Sequence, residues 1–211
     1  MRTSVILVGA PATEPCTVAE LKTWARIDTS TEDSMLGDLI GAARQEAEKF
    51  LGRALVTQTW ELTLDLQRSS LDALLGDGVY DLPITTLYSG LPRVITLPYA
   101  PASSITSVKT YGVDDTETTM TASTYSLDAA GSRLVLDYGI SWPSDLRVEA
   151  CVKIRYVTGY GAASAVPYLI KVAIMAYALA LYESRGICDG QSADPLAMLH
   201  SQLFSFKNFV Q

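Results

Sequence analysis

Residues 17–52, TVAELKTWARIDTSTEDSMLGDLIGAARQEAEKFLG, carry the clearest structural signal in this chain. Thr17 and Glu20 have the spacing of a capping box, in which a hydroxyl and a carboxylate each bond the other residue's backbone N–H. This spacing predicts a short helix over 18–27. Its buried side chains are expected to be Val18, Leu21, Trp24 and Ala25.

A second helix is predicted to begin at Ser30–Asp33, where acidic residues suit the first turn. Its apolar residues recur three and four positions apart, which indicates one buried face: Met35, Leu36, Leu39, Ile40, Ala43, Ala47 and Phe50. Gly52 is the expected stop. The remaining charged residues include Glu48 beside Arg44, and we expect them on an exposed face, paired with each other.

The middle of the chain has the composition and alternation of β-strands. Residues 55–66, LVTQTWELTLDL, alternate between an apolar and a polar side. Six further strands are predicted, at 93–97, 104–111, 117–120, 125–128, 133–138 and 148–157. Asp114-Asp115 and Ala130-Gly131 supply turns between neighbouring strands, so we expect antiparallel hairpins.

Two helices are predicted at the C-terminal end. Pro167 is a suitable first residue for a helix to about Arg185, which is apolar nearly all round and therefore expected to be buried. Asp194-Pro195 then begins the last helix. The pattern predicts an α+β fold of N-terminal helices (1–53), an antiparallel β-domain (54–158) and C-terminal helices (165–211). This order matches a plan that a family resemblance, described below, implies: a helical bundle formed by the N-terminal and C-terminal helices with the β-domain inserted.

Composition narrows the possible functions. The 211 residues are 48% hydrophobic and only 18% charged, below the roughly 25% of typical soluble proteins. The net charge of −7 disfavours general binding to nucleic acid. The longest apolar run, 172–182, is shorter than the roughly 20 residues that cross a bilayer. Residues 5–10 lie at the short limit of a signal-sequence core, so we do not expect secretion.

Residues that could carry catalysis are few. The chain has one histidine, His200, and three widely spaced cysteines, so neither a serine or cysteine nucleophile with its base nor a zinc site is predicted. The adjacent acids have simpler roles in turns and helix starts. Trp60, Tyr111 and Trp142 could line a sugar cleft, although core packing explains them more readily. We therefore expect no enzyme activity, no metal and no cofactor.

The long segment 67–92 within the β-region is apolar without a clear strand pattern. Long loops are often functional. Two roles are considered equally for this segment: a flap that packs on its own β-domain, and a loop that contacts a partner. Its candidate contact residues are Leu71, Leu74, Leu75, Tyr80, Leu87 and Tyr88.

Several segments, in their order along the chain, resemble one phage family. The N-terminal ones are TVAELK (17–22), RID (26–28), EDSML (32–36), LIGAAR (39–44) and FLGRALVTQTW (50–60). Later ones are PASSITSV (101–108), IRYVTGYG (154–161) and Val166-Pro167 with its apolar helix. Together they resemble the head-to-tail connector proteins of long-tailed phages, the gp6-like or gp8-like adaptor group, over about three quarters of the chain.

The resemblance implies a structural role. Family members form a ring, typically of twelve subunits, beneath the portal at the capsid vertex, and carry the DNA channel onward to the tail or stopper protein. It therefore implies a homo-oligomer in the virion neck, assembled in the host cytoplasm, through which genomic DNA passes without sequence-specific binding and which binds no membrane. Another neck, stopper or tail-completion protein is the first alternative. A carbohydrate-binding or carbohydrate-active domain is a weaker one.

The resemblance also implies which residues make contacts. The family's C-terminal segment commonly engages the portal, which gives a docking helix with Leu196, Leu199, Leu203, Phe204, Phe206 and Phe209. Subunit or bundle packing is expected at Leu36, Leu39, Ile40, Ile170, Ile174, Tyr177 and Leu181.

Overall fold

The computed structural model describes residues 3–66, 91–184 and 195–207. The helices are α1 (Val18–Ala25), α2 (Asp33–Leu51), α3 (Tyr168–Glu183) and α4 (Pro195–Leu203). The strands are β1 (Thr3–Gly9), β2 (Gln58–Leu64), β3 (Val94–Thr96), β4 (Ala102–Tyr111), β5 (Glu117–Thr119), β6 (Tyr125–Asp128), β7 (Arg133–Leu136) and β8 (Val152–Thr158). The predicted α+β fold class is confirmed.

These elements form two compact units. The β unit comprises the described residues within Met1–Val8, Thr59–Leu97 and Ala102–Val157. The helical unit comprises those within Gly9–Gln58, Pro98–Pro101 and Thr158–Gln211. Each unit has its own hydrophobic core.

The first helix of the helical unit begins as its capping pattern predicts. The Thr17 hydroxyl accepts a bond from the Glu20 backbone N–H at 3.1 Å, and the Thr17 N–H donates to the Glu20 carboxylate at 2.7 Å. These bonds satisfy two N–H groups that the helix itself leaves unpaired. The helix ends at Ala25, and Arg26 follows in the left-handed conformation. Leu21 is buried as predicted, but Trp24 is 45% exposed, which corrects its assignment to the core.

The second helix buries the face that its spacing predicts. Leu36, Ile40, Ala43 and Ala47 are buried, while Met35, Leu39 and Phe50 are half-buried at its margins. Gly52 ends the helix with φ +63°, a conformation that glycine adopts without steric cost.

The two C-terminal helices complete the helical core. Helix α3 is buried along most of its length, as an apolar helix should be, although its first residues Tyr168 and Leu169 are exposed. Pro167 precedes this helix as its N-cap residue and not as the first helical residue. Helix α4 packs against both α2 and α3. Each helix satisfies its backbone hydrogen bonds internally, so its apolar side chains are free to pack against the other helices. The four helices therefore share one core.

One glycine of the helical unit permits a close backbone approach. Gly159 has φ +112°, and a Cβ built on it would lie 2.3 Å from the carbonyl oxygen of Val56. Only a residue without a side chain fits this position.

The β unit contains two sheets whose hairpins follow the predicted turns. The five-stranded sheet has the order β1-β2-β8-β4-β5, and the three-stranded sheet has the order β3-β7-β6. Strands β4 and β5 pair antiparallel across the Asp114-Asp115 turn, with Thr110 opposite Thr118. Strands β6 and β7 pair antiparallel across the Ala130-Gly131 turn. The core of the β unit includes apolar side chains from strands β2, β4 and β8, namely Leu62, Leu64, Val108 and Ile154.

Strand β1 is an element that the sequence analysis missed. Residues 3–9, TSVILVG, form the edge of the five-stranded sheet, so residues 3–8 belong with the β unit and not with the N-terminal helices. The segment is a continuous apolar run without alternation, and its burial is low throughout. Such a strand lacks the two-residue alternation of apolar and polar side chains by which strands are predicted from sequence. Across the described residues, no helix is both long and apolar enough to cross a membrane.

Candidate interaction surfaces

The described residues contain no group of three or more His, Cys, Asp or Glu that could hold a metal ion. Cys16 and Cys151 are buried free thiols. Burial raises the pKa of Cys16 to about 11, so its thiol stays protonated near neutral pH and is a poor nucleophile. The Cys151 thiol donates to the carbonyl of Leu64 at 3.1 Å within the sheet.

His200 has a packing role. Its ring stacks on Phe50 with 4.0 Å between centroids and an interplanar angle of 11°. Its Nε2 atom lies 3.9 Å from a carboxylate oxygen of Glu46. The Lys207 ammonium lies 4.5 Å from the centre of the same Phe50 ring. These contacts join the end of α2 to α4 and the residues after it, and they offer no nucleophile to a substrate.

The three aromatic residues considered for a sugar cleft do not line a common cleft. Trp60 and Trp142 pack against the core of the β unit, and the Trp142 indole N–H donates to the carbonyl of Pro92 at 2.9 Å. The Tyr111 ring lies on the outer side of the five-stranded sheet, 4.4 Å from the Arg147 guanidinium. These positions favour core and surface packing over an aromatic cleft.

The predicted docking helix buries two of its six predicted contact residues completely within its own chain. Leu199 and Leu203 are completely buried in the helical core, which corrects their assignment to an external contact. Leu196 and Phe206 are half-buried. Phe204 remains 59% exposed and is the strongest candidate for an external contact. Phe209, like the six candidate residues of the 67–92 segment, lies outside the described residues.

The residues predicted to pack between subunits or within the bundle lie in the bundle. Four of them are buried in the helical core: Leu36, Ile40, Ile170 and Ile174. Leu39 and Tyr177 pack against this core, and Leu181 is half-buried.

Arg44 and Glu48 form a buried polar network, which corrects their placement on an exposed face. The Arg44 guanidinium donates to Glu48 at 2.5 Å and to Glu14 at 2.7 Å. The other Glu48 oxygen accepts from the Leu55 backbone N–H at 2.8 Å and from the Gln58 amide at 2.5 Å. Burial raises the pKa of Glu48, although these bonds oppose the shift. The network ties α2 to the start of β2.

A groove between α1 and α3 is one of the concave surfaces of the helical unit. Its volume is about 390 Å³. Helix α1 contributes Thr23 and Trp24, and helix α3 contributes Tyr168, Lys171 and Met175. Tyr168 is 73% exposed. Glu20 also lines the groove; its hydrogen bonds with Thr17, and the nearby Lys171 charge, lower its pKa. A groove with exposed aromatic side chains beside charged ones is a surface suited to a partner.

The outer side of the five-stranded sheet carries charge of both signs. Arg155 pairs with Glu61 at 2.7 Å, and Lys109 pairs with Glu117 at 2.6 Å. The Lys109 and Tyr111 bonds hold the pKa of Glu117 below its usual range. Because the cations on this side face acids, the surface is not a basic patch of the kind that neutralises phosphates.

The N-terminal part of the chain matches the model of a known protein family. Residues 15–76 match the model of the phage gp6-like head-tail connector protein family. This match confirms the resemblance that the sequence segments indicated. Its described part covers α1, α2 and β2, and therefore includes one wall of the groove and the buried Arg44–Glu48 pair. No curated protein sequence matches the chain.

Solved structures extend the likeness to nearly the whole chain. A chain of "Neck of empty GTA particle computed with C6 symmetry" is 21% identical, with 94% of each chain covered and a TM-score of 0.69. A chain of "Neck of native GTA particle computed with C12 symmetry" is 22% identical, with 99% of this chain and 97% of that chain covered and a TM-score of 0.66. A chain of "Virion of native gene transfer agent (GTA) particle" is 22% identical, with 94% and 93% covered and a TM-score of 0.66. The protein thus shares its fold with chains of phage-like neck structures.

Proposed function

We propose that this protein is a structural head-tail connector subunit in the neck of a phage or phage-like particle. The observation that carries the proposal is the connector-family match over residues 15–76. The likeness to neck structures at TM-scores of 0.66 to 0.69 supports it, because it extends over both units. A structural role also agrees with the buried, protonated thiol of Cys16 and with the packing role of His200.

The proposed assembly is a homo-oligomeric ring, most simply of twelve subunits. Two of the similar structures were computed with sixfold or twelvefold symmetry, which supports a ring for this chain as well. Exposed aromatic side chains in both units, Tyr138 in the β unit and Trp24 with Tyr168 in the helical unit, also favour an oligomer. In a ring, each subunit uses two different surfaces for its two neighbours.

The ring would lie between the portal and the tail or stopper protein and would continue the DNA channel. The mixed charge on the sheet and the net charge of −7 favour passage of DNA over its retention. Contact with the portal is assigned to the end of α4, where Phe204 is exposed beside the helical core. Assembly in the host cytoplasm, without cofactor or membrane, completes the proposal.

The test is to mix the purified protein with the portal protein of the same particle and to image the products by electron microscopy. We expect a ring on the narrow end of the portal. Bare portals beside free protein would contradict the connector role, and binding only to rings that already carry a connector would favour the stopper alternative.

Phe204→Ser tests the docking surface within the same experiment. Because Phe204 is 59% exposed, the variant should still fold and should bind the portal more weakly. The matched control is Val113→Ser, a side chain 69% exposed in the β unit, which should leave portal binding unchanged. A chain ending at residue 190 is a poorer test, since it would also remove Leu199 and Leu203 from the core.

A further inference from the structure

The five-stranded sheet ends at β1, an edge strand without the usual protection. A free edge offers backbone N–H and C=O groups to any other strand, and natural proteins commonly block it with charged side chains or proline. The sequence of β1, TSVILVG, contains neither. Ile6, Leu7 and Val8 are 45–55% exposed, so apolar side chains are uncovered on both faces of the strand. Among the described residues β1 pairs only with β2, which leaves its outer edge open.

The opposite end of the same sheet is β5, and part of its backbone also points outward. The Met120 N–H donates to the carbonyl of Val108 in β4 at 2.9 Å, so Met120 and, two residues before it, Thr118 direct their backbone groups towards β4. Successive residues of an antiparallel strand direct these groups to opposite sides. The N–H and C=O groups of Glu117 and Thr119 therefore point away from β4. All three residues of β5 are exposed.

The side chains of β5 are compatible with a neighbouring apolar strand. The Glu117 carboxylate accepts bonds from the Lys109 ammonium at 2.6 Å and from the Tyr111 hydroxyl at 2.7 Å, so its charge is neutralised on its own sheet. Thr118 and Thr119 are β-branched, and such side chains pair well across strands with valine and isoleucine. Since β1 carries no charge, pairing would bring no like charges together.

We propose that β1 of one copy pairs with β5 of the next copy, so that neighbouring five-stranded sheets join into one continuous sheet. The two edges are different surfaces, so the contact is heterologous and repeats from subunit to subunit, as a closed ring requires. This inference rests on the proposed function and names the strands that join the ring.

The sheet itself selects a second copy as the partner. Each subunit supplies one edge of each kind, so a closed ring pairs every β1 with a β5 and leaves no open edge. Pairing of β1 with a second β1 would close after two copies and leave both β5 edges uncovered. Main-chain bonds between the edges would hold the copies together, and the exposed apolar side chains of β1 would gain a covering strand.

Amide hydrogen exchange tests the pairing at the groups that would form it. Exchange is measured on the dilute free protein and on the assembled oligomer, and fragmentation in the mass spectrometer resolves single amides. We expect the Glu117 and Thr119 amides to exchange at least about 10-fold more slowly in the oligomer, together with amides of β1. The Thr118 amide is the internal control, because it already faces β4 and should change little.

The exchange pattern also identifies any other occupant of the edge. Unchanged exchange at Glu117 and Thr119 overturns the proposal. Slower exchange in β1 alone would show that a second β1 or a different protein covers this edge, which also overturns it.

Thr119→Pro removes one outward N–H and leaves the ladder with β4 intact, so the variant should fold. It should weaken self-association at least about 10-fold, measured by sedimentation. The matched control is Thr96→Pro on β3, an edge strand of the other sheet. The Leu97 N–H donates to the carbonyl of Ser132 at 2.8 Å, so the preceding Thr96 N–H points away from its sheet. Equal effects of the two prolines contradict the proposal.

Ile6→Lys tests the other edge without a change of backbone. Ile6 is exposed, so the variant should fold, and a charge on β1 should reduce self-association as strongly as Thr119→Pro does. Val94→Lys on β3, where the side chain is 43% exposed, is the matched control and should have no effect. Self-association that Ile6→Lys leaves unchanged overturns the contact.

This contact and the connector role fail in different ways. Rings on the portal whose Glu117 and Thr119 amides exchange as in the free protein overturn the contact and leave the connector role intact. Protein that self-associates with both edges protected, yet does not bind the portal, retains the contact and contradicts the connector role. Protein that neither self-associates nor binds the portal contradicts both.

Discussion

The buried Glu48 carboxylate offers the sharpest test of how the helical unit is held together. Its two oxygens accept bonds from the Leu55 N–H, the Gln58 amide and the Arg44 guanidinium at 2.5 to 2.8 Å. Glu48→Ala removes the acceptor oxygens of all three bonds at once. The donors stay buried, because Arg44, Leu55 and Gln58 are all less than a tenth exposed.

The size of the effect follows from these partners. Leaving a neutral buried donor without a partner costs about 1–3 kcal/mol. Arg44 retains its bond to Glu14 at 2.7 Å, so its charge is not left alone. Breaking a buried ion pair by removing one partner costs about 3–5 kcal/mol. We therefore expect Glu48→Ala to lower the free energy of unfolding by about 3–5 kcal/mol, a large share of a typical domain's stability.

Urea unfolding followed by circular dichroism measures this difference. With a typical slope of about 2 kcal/mol per M, the midpoint should fall by about 2 M. The matched control is Glu46→Ala on the same helix, where the carboxylate is partly exposed and lies 3.6 Å from the Lys49 ammonium. A surface pair of this kind contributes about 0–1 kcal/mol. If the two variants differ by less than about 1 kcal/mol, the buried network does not stabilise the fold as argued.

Three further outcomes are expected. Leu199→Ala should lower the free energy of unfolding by about 2–5 kcal/mol in thermal or urea unfolding, since this side chain is completely buried; a smaller loss would mean that α4 detaches readily. Gly159→Ala should reduce the yield of folded protein, because its Cβ would overlap the Val56 carbonyl, and a normal melting curve would refute that close approach. Cys16 and Cys151 should resist iodoacetamide at pH 8 until urea is added, as peptide mapping by mass spectrometry would show; rapid labelling of the native protein would contradict their burial.

Local patterns were sufficient for most individual elements. The Thr17–Glu20 capping box and Gly52 marked helix ends because caps involve neighbours only a few residues apart. The hairpins around residues 114 and 130 followed from turn residues between alternating strands. The family resemblance likewise required no structure, and the family match over residues 15–76 confirms its N-terminal part.

Only the tertiary structure decided which side chains are shared between distant elements. Arg44 and Glu48 have the spacing of an ordinary surface pair, yet Glu14, Leu55 and Gln58 surround them with partners from other segments. A helical period reports that a face is apolar or charged, but it does not report what packs against that face.

The same limit applies to the surfaces. Leu199 and Leu203 have the same periodic signal whether they bury against their own bundle or against another protein, and only the fold assigned them to the bundle. Trp24 had the spacing of a core residue, but α3 leaves it at the rim of an open groove. Strand β1 had no period at all. Sequence determined the elements through local bonds and periodicity, whereas burial and exposure depend on contacts between residues far apart in the chain.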